Sequence, residues 1–321
     1  MLAASANAVS RDDPLAGLVV GERPDPVAPA GWTTVTVRAT SINHHDLWTL
    51  RGVGIDPDRL PIVLGCDAAG IDAEGREVIV HSVIASDGWS GDETLDPKRS
   101  LLSEVYDGTF AEKVVVPARN VVPKPAALSF EEAACLPTAW LTAYRMLFTN
   151  SGARPGDVVL VQGAGGGVAS ALVILGAATG YRVWVTSRDE AKRKRAMELG
   201  AEQAFETGAR LPGRVDAVFE TVGAATWSHS LKSLRPGGTL VVSGATSGFD
   251  PPAELNRVFF LQLRIVGSTM GSIRELAQVA SLCETTGIRP LIDRVLPLAE
   301  ARAGLEVMEK GDVFGKIVLV P

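Results

Sequence analysis

The stretch from Gly156 to Ala201 constrains the fold more than any other part of this chain. An apolar run, Val158-Val159-Leu160-Val161, leads into the glycine cluster Gly163-Ala164-Gly165-Gly166-Gly167. A helical pattern of small residues follows from Val168 to Thr179, and a second apolar run, Arg182 to Thr186, ends in Ser187-Arg188. Strand, glycine turn, helix and strand in that order form a dinucleotide-binding unit. Bare glycine backbone there lets a pyrophosphate approach the N–H groups at a helix start. Gly163, Ala164, Gly165, Gly166, Gly167 and Val168 are therefore the expected pyrophosphate site.

The end of the second strand falls about 20 residues beyond the glycines, where an NAD-binding unit places an acid on the ribose 2′-OH. That acid is missing. Ser187 and Arg188 stand at the tip, and Lys192, Arg193, Lys194 and Arg195 follow on the next helical segment. A hydroxyl and cations suit a 2′-phosphate, which a carboxylate would repel. The expected cofactor is NADPH, with Ser187, Arg188 and Lys192 at its phosphate. The basic run also reads as a solvated helix face.

With 321 residues and 46% hydrophobic content, the chain can bury a large core divided between two domains. A net charge of −6 argues against a nucleic-acid surface. No apolar run reaches the roughly 18 to 20 residues of a membrane span, and the N-terminus lacks a basic segment followed by an apolar core. A soluble, cytoplasmic protein is expected. Cys66, Cys135 and Cys283 are too widely spaced for a disulfide framework or a CxxC zinc lobe.

Short β-rich runs, Thr33 to Ala39, Glu77 to Val83 and Lys113 to Pro117, suggest a barrel-like β domain in the first 125 residues. From about Glu131 helix and strand alternate, with strands expected at Val215 to Glu220, Thr239 to Gly244 and Arg264 to Gly267, as in a parallel sheet. Ligands bind outside the carboxyl ends of such strands, which adds Thr221, Gly244, Ser268 and Thr269 to the cofactor site. Ser86 to Leu102 reads as a surface loop, and Lys316 to Val320 as a last strand.

Further blocks carry a family likeness. Ser41-Ile42-Asn43-His44-His45-Asp46, Leu64-Gly65-Cys66-Asp67-Ala68-Ala69-Gly70, Gly108-Thr109-Phe110-Ala111-Glu112 and Leu141-Thr142-Ala143-Tyr144 precede the glycine cluster and Leu199-Gly200-Ala201 in the right order. Together they resemble the medium-chain dehydrogenase/reductases, in particular their zinc-free NADPH:quinone reductase branch; Phe314-Gly315-Lys316-Ile317-Val318 resembles that family's C-terminal strand. The resemblance implies an α/β protein with a GroES-like β-barrel catalytic domain split around an inserted Rossmann dinucleotide-binding domain. The expected divisions are 1–136 and 273–321 for the catalytic domain and 137–272 for the NADPH-binding domain. It also implies a cofactor cleft between the two, with Thr138, Thr142 and Lys316 at the cofactor, and a homodimer formed through the strand around Arg264 to Thr269.

Zinc-dependent members hold a catalytic metal with cysteine, histidine and a further cysteine or acid. Block alignment puts Asn43, Cys66 and Thr138 at those positions, so no metal is expected. Asn43, His45, Asp46 and Cys66 are the candidate catalytic group: an amide for a developing oxyanion or the cofactor carboxamide, an imidazole for proton exchange, a carboxylate orienting the segment and a thiol. On a strand, His44 and His45 face opposite ways, and only one reaches the cleft. The expected function is hydride transfer from NADPH to a quinone or an α,β-unsaturated carbonyl compound. Two alternatives stay open: a zinc alcohol dehydrogenase with a non-standard site built on Cys66, and a non-catalytic, crystallin-like NADPH-binding protein.

Overall fold

In the computed structural model, which describes residues 1–321, the apolar runs in the middle of the chain become one parallel sheet. Its six strands lie in the order Gln203–Phe205, Arg182–Thr186, Val158–Gln162, Val215–Glu220, Leu234–Val242 and Arg264–Gly267. Every neighbouring pair is parallel. Strands covered by helices on both faces need apolar side chains on both, so they read as unbroken hydrophobic runs rather than as alternation. Leu160, Val218, Leu240 and Trp184 supply that core with Leu231 and Leu263. The strand order reverses between Val158–Gln162 and Val215–Glu220, the switch point at which doubly wound sheets bind ligands.

A second body joins both ends of the chain. The strand Trp32–Ser41 pairs antiparallel with Lys113–Pro117, with Asp67–Ile71 and with the C-terminal strand Lys316–Val320. Ile42, Leu47, Leu50, Leu64 and Phe110 from the first part pack with Leu305, Ile317 and Leu319 from the last. The two compact units are Met1–Leu141 with Met270–Pro321, and Thr142–Thr269. The chain thus changes units after Leu141 and after Thr269, where the sequence suggested 136 and 272.

Two local expectations change. Ser86 to Leu102 is not a plain loop: Asp96 accepts hydrogen bonds from the Ser86 N–H and Oγ and from the Lys98 N–H, and Ser100–Leu101 pairs with Val83–Ile84. Such side-chain-to-backbone bonds leave no periodic trace in sequence. The segment with the paired histidines is the helix His44–Leu50, not a strand end, because Asn43 is extended (φ −128°, ψ 160°) and its N–H is captured by Asp46 at 2.7 Å. This is the return half of a capping box, which starts a helix.

Close backbone approach fixes two glycines of the family blocks. A Cβ on Gly70 would lie 2.1 Å from the Thr36 carbonyl oxygen, and one on Gly108 would lie 2.4 Å from the carbonyl oxygens of both Leu64 and Gly65. Neither neighbour can yield without moving a strand. Gly108→Ala should therefore destabilise the fold by about 1–3 kcal/mol or more; equilibrium denaturant unfolding indistinguishable from wild type would contradict the packing described.

Candidate active site

Asp46 ties the start of the helix His44–Leu50 to the turn that carries Cys66. Its Oδ2 accepts from the Asn43 N–H and its Oδ1 from the Gly65 N–H at 3.1 Å. Burial raises the Asp46 pKa to about 6, against the opposing influence of His45. Asp46 is thus a positioning residue, with both oxygens engaged.

His45 turns into the body of the unit. Its Nε2 meets Glu104 Oε1 at 3.0 Å, while its Nδ1 lies 3.3 Å from Cys66 Sγ and 3.4 Å from Ser103 Oγ. Burial opposes the charged ring, but Cys66 and Glu104 at its two nitrogens more than reverse this and hold its pKa well above the ordinary imidazole value. Burial pushes the Cys66 thiol up against the opposing influence of His45, and its sulfur also donates to the Leu102 carbonyl. His44, by contrast, is exposed. Sequence gave no signal for Ser103 or Glu104. They sit about 60 residues from His45, on a tight turn where Ser103 is fully buried with φ at 66°, a left-handed conformation rare outside glycine.

Asn43 and Lys316 do not stand as expected. The Asn43 amide donates to Asp67 Oδ2 at 2.8 Å and to the Ser41 carbonyl at 3.3 Å, and its Oδ1 accepts from Lys316 Nζ at 2.6 Å. Both amide protons are engaged, and none is left for an oxyanion or a carboxamide. Lys316, expected at the cofactor, directs its three donors to Asn43 Oδ1, the Ile42 carbonyl and Asp67 Oδ2, and its side chain is 3% exposed. Such an ammonium has no donor free for a ligand. The pattern that would have shown this, an acid after Cys66 and a lysine 249 positions later, is invisible without a fold.

In the other unit, the glycine loop, Ser187, Arg188, Thr221, Gly244, Ser268 and Thr269 follow the carboxyl ends of the parallel strands. The helix Gly167–Ala178 begins at Gly166, which is exposed, so the first N–H groups of the helix face outward without intrahelical partners. Gly163 has φ at 87°, which only glycine adopts without strain. Ser187 is nearly buried at the tip of Arg182–Thr186, and Arg188 beside it is exposed. Asp189, which follows Arg188, caps the next helix by accepting from the N–H groups of Ala191 and Lys192. The basic run divides by role: Lys194 pairs with Glu190 as a solvated helix face, whereas Arg193 reaches back to the Ser187 carbonyl at 2.6 Å. Ser268 Oγ is buried without a partner, as is Thr138 Oγ1 in the first unit; Thr142 is buried, and Thr221, Gly244 and Thr269 are partly or fully open.

Residues 29–126 match the family described as the alcohol dehydrogenase GroES-like domain, and residues 167–285 match the zinc-binding dehydrogenase family. A zinc-type alcohol dehydrogenase-like protein of Schizosaccharomyces pombe is 30% identical over 315 residues, covering 90% of each chain. The chain belongs to the medium-chain dehydrogenase/reductase superfamily. An acryloyl-coenzyme A reductase of Sulfurisphaera tokodaii is 28% identical over 96% of this chain and 98% of its own. A solved NAD-dependent alcohol dehydrogenase superposes with a TM-score of 0.93 at 34% identity, covering 100% of both chains.

This superfamily includes zinc enzymes. Asn43 Oδ1 is held by an ammonium, a cation where a second would be repelled, and Thr138 offers a neutral hydroxyl. His45, Asp46 and Cys66 do bring one ligand atom each within 4.8 Å of one another, but both oxygens of Asp46 already accept backbone N–H groups. Coordination by Asp46 would compete with the backbone hydrogen bonds that hold the helix start and the Cys66 turn, and without it Cys66 and His45 fall short of the three or four protein ligands that hold zinc. Asn43, Cys66 and Thr138, at the positions of the zinc ligands, do not form such a set.

Lys316 in this arrangement neutralises a buried carboxylate. Lys316→Met should cost about 3–5 kcal/mol of stability, because it strands Asp67 in the interior. A drop in Tm with unaltered NADPH affinity in the folded fraction is expected. Weaker NADPH binding at unchanged Tm would return Lys316 to the cofactor site.

Proposed function

We propose that this protein is an NADPH-dependent reductase that delivers hydride to the β-carbon of an α,β-unsaturated carbonyl compound without a metal, with an acyl thioester as the substrate class. The observation that carries the reading is the strand tip: a hydroxyl and an open guanidinium, with Asp189 turned into a helix cap and Glu190 paired with Lys194. A 2′-phosphate gains charge-assisted bonds there, and the two acids that follow Arg188 are already engaged. The similarity to an acryloyl-coenzyme A reductase along nearly the whole chain supports the substrate class.

NADPH supplies the hydride. The chain's own residues do the rest: the N–H groups after Gly166 hold the pyrophosphate, Ser187 and Arg188 hold the 2′-phosphate, and Thr221, Gly244, Ser268 and Thr269 border the cofactor at the strand ends. A conjugated carbonyl is already activated at its β-carbon, so it needs positioning and a hydrogen-bond donor at its oxygen rather than a Lewis acid. The Asn43 amide is not free for that task, since both its protons are engaged. Hydride addition leaves an enolate that takes one proton at the α-carbon. Solvent provides it, because both ring nitrogens of His45 are occupied.

The protein acts as a homodimer in this reading. The outer side of the edge strand Arg264–Gly267 has no neighbour in the sheet, and Phe249, Leu255, Phe259, Phe260 and Ile265 are exposed in the same unit. No helix is long and apolar enough to cross a membrane.

The test is Arg188→Ala. Loss of one charge-assisted phosphate contact should raise the Kd for NADPH about tenfold to a hundredfold and leave NADH unchanged. Equal effects on both cofactors would sink the NADPH assignment, a sharp question given the similarity to an NAD-dependent enzyme. Steady-state rates with an enoyl thioester, a simple enone, a quinone and an aldehyde, run on protein assayed for zinc, separate the substrate classes. Turnover of the aldehyde alone, scaling with bound zinc, would contradict the proposal.

A further inference from the structure

One fully buried carboxylate in the dinucleotide-binding unit takes no part in the chemistry above. Glu220 ends the strand Val215–Glu220 and is 0% exposed. Its Oε1 accepts from the N–H groups of Val222 at 2.8 Å and Gly223 at 3.0 Å, and Thr226 Oγ1 lies within 2.9 Å of both carboxylate oxygens. Ser230 Oγ donates to Oε2 at 2.7 Å. A charge this deep persists only when so many donors face it.

The bonding continues away from Glu220 in one direction. Ser230 Oγ accepts from Gln162 Nε2 at 2.9 Å. The second proton of that amide goes to His229 Nδ1, whose other nitrogen must carry hydrogen because it faces the Ala209 carbonyl. Gln162 Oε1 accepts from Thr186 Oγ1 at 2.6 Å, and Thr186 Oγ1 accepts in turn from the N–H of Gly163 at 3.4 Å. Along the path from Gly163 to Glu220 every donor points toward the carboxylate, so the amide orientation of Gln162 and both hydroxyl rotors are fixed. Thr186, Gln162 and Glu220 are the last residues of three adjacent strands, and all are 0% exposed.

We propose that Glu220 is a remote positioning residue for dinucleotide binding, setting two cofactor loops from one buried charge: directly through the turn Thr221-Val222-Gly223, and through Ser230, Gln162 and Thr186 to the first glycine of the pyrophosphate loop. The two loops also run close together, since a Cβ on Gly163 would lie 3.8 Å from Val222 Cγ2. Drawing the Gly163 N–H inward to Thr186 fixes the peptide from which the chain turns at φ 87° into the helix start. Apolar residues would fill the same space, and the directed chain is what they would not supply. The inference rests on the NADPH reading only in naming the ligand.

The experiment is a fluorescence titration with NADPH of wild type, Glu220→Gln, Gln162→Met and the double variant, alongside steady-state kinetics. Glu220→Gln puts an N–H where only donors arrive, and Gln162→Met cuts the relay while leaving the Val222 and Gly223 contacts intact. Kd should rise about tenfold in each single variant, the double variant should bind no more weakly than Glu220→Gln alone, and KM for NADPH should rise more than kcat falls. Unchanged Kd in both variants while wild type binds tightly overturns the inference, as does additive loss or a fall in kcat at constant KM. Should Glu220→Gln not fold, Gln162→Met decides on its Kd and its KM-to-kcat split. A wild type that binds NADH but not NADPH overturns the cofactor reading, and the same titrations run with NADH then decide the inference.

Discussion

The structure of the first unit depends on a buried ammonium. Lys316 stands in the C-terminal strand, Asp67 in a strand from the first third of the chain and Asn43 at a helix start, and the three meet through hydrogen bonds of 2.6 to 3.3 Å. Val318 pairs with Ser41 immediately beside them, so the sheet that joins the chain ends closes over this cluster. An unpaired ion there would cost several kcal/mol. The cluster therefore fixes which strand may occupy the last place, and with it the position of the helix that carries His44 and His45.

The same cluster occupies the ground that a metal would need. A cation is already present at the Asn43 position, supplied by the chain itself, and it has settled on structural acceptors rather than on a reacting oxygen. In the first unit an imidazole stays exposed and a threonine hydroxyl has no partner; in the second the strand tip is basic.

Much of the fold was legible in the sequence, for a physical reason: strands buried on two faces must be apolar throughout, so Val158–Gln162, Arg182–Thr186 and Val215–Glu220 announce themselves. Glycines announce themselves where backbone meets backbone, as at Gly70 and Gly108. The polar interior was not legible. Glu104 reaches His45 across 59 positions, Lys316 reaches Asn43 across 273, and Gln162 reaches Ser230 across 68, distances over which no local pattern operates. No periodicity marks the helix at His44, whose one signal, Asn43 followed by Asp46, is a cap. Which histidine is accessible follows from that helix and not from strand alternation.

Transfer of isotope tests the central claim most directly. Metal-stripped protein would be incubated with NADPH bearing deuterium at the transferable C4 position and with a 2-enoyl thioester, and the product examined by mass spectrometry and NMR. One deuterium at the β-carbon and a solvent-derived proton at the α-carbon is the predicted result. Absence of deuterium from the thioester, with label passing instead to an aldehyde only after zinc is restored, would contradict it.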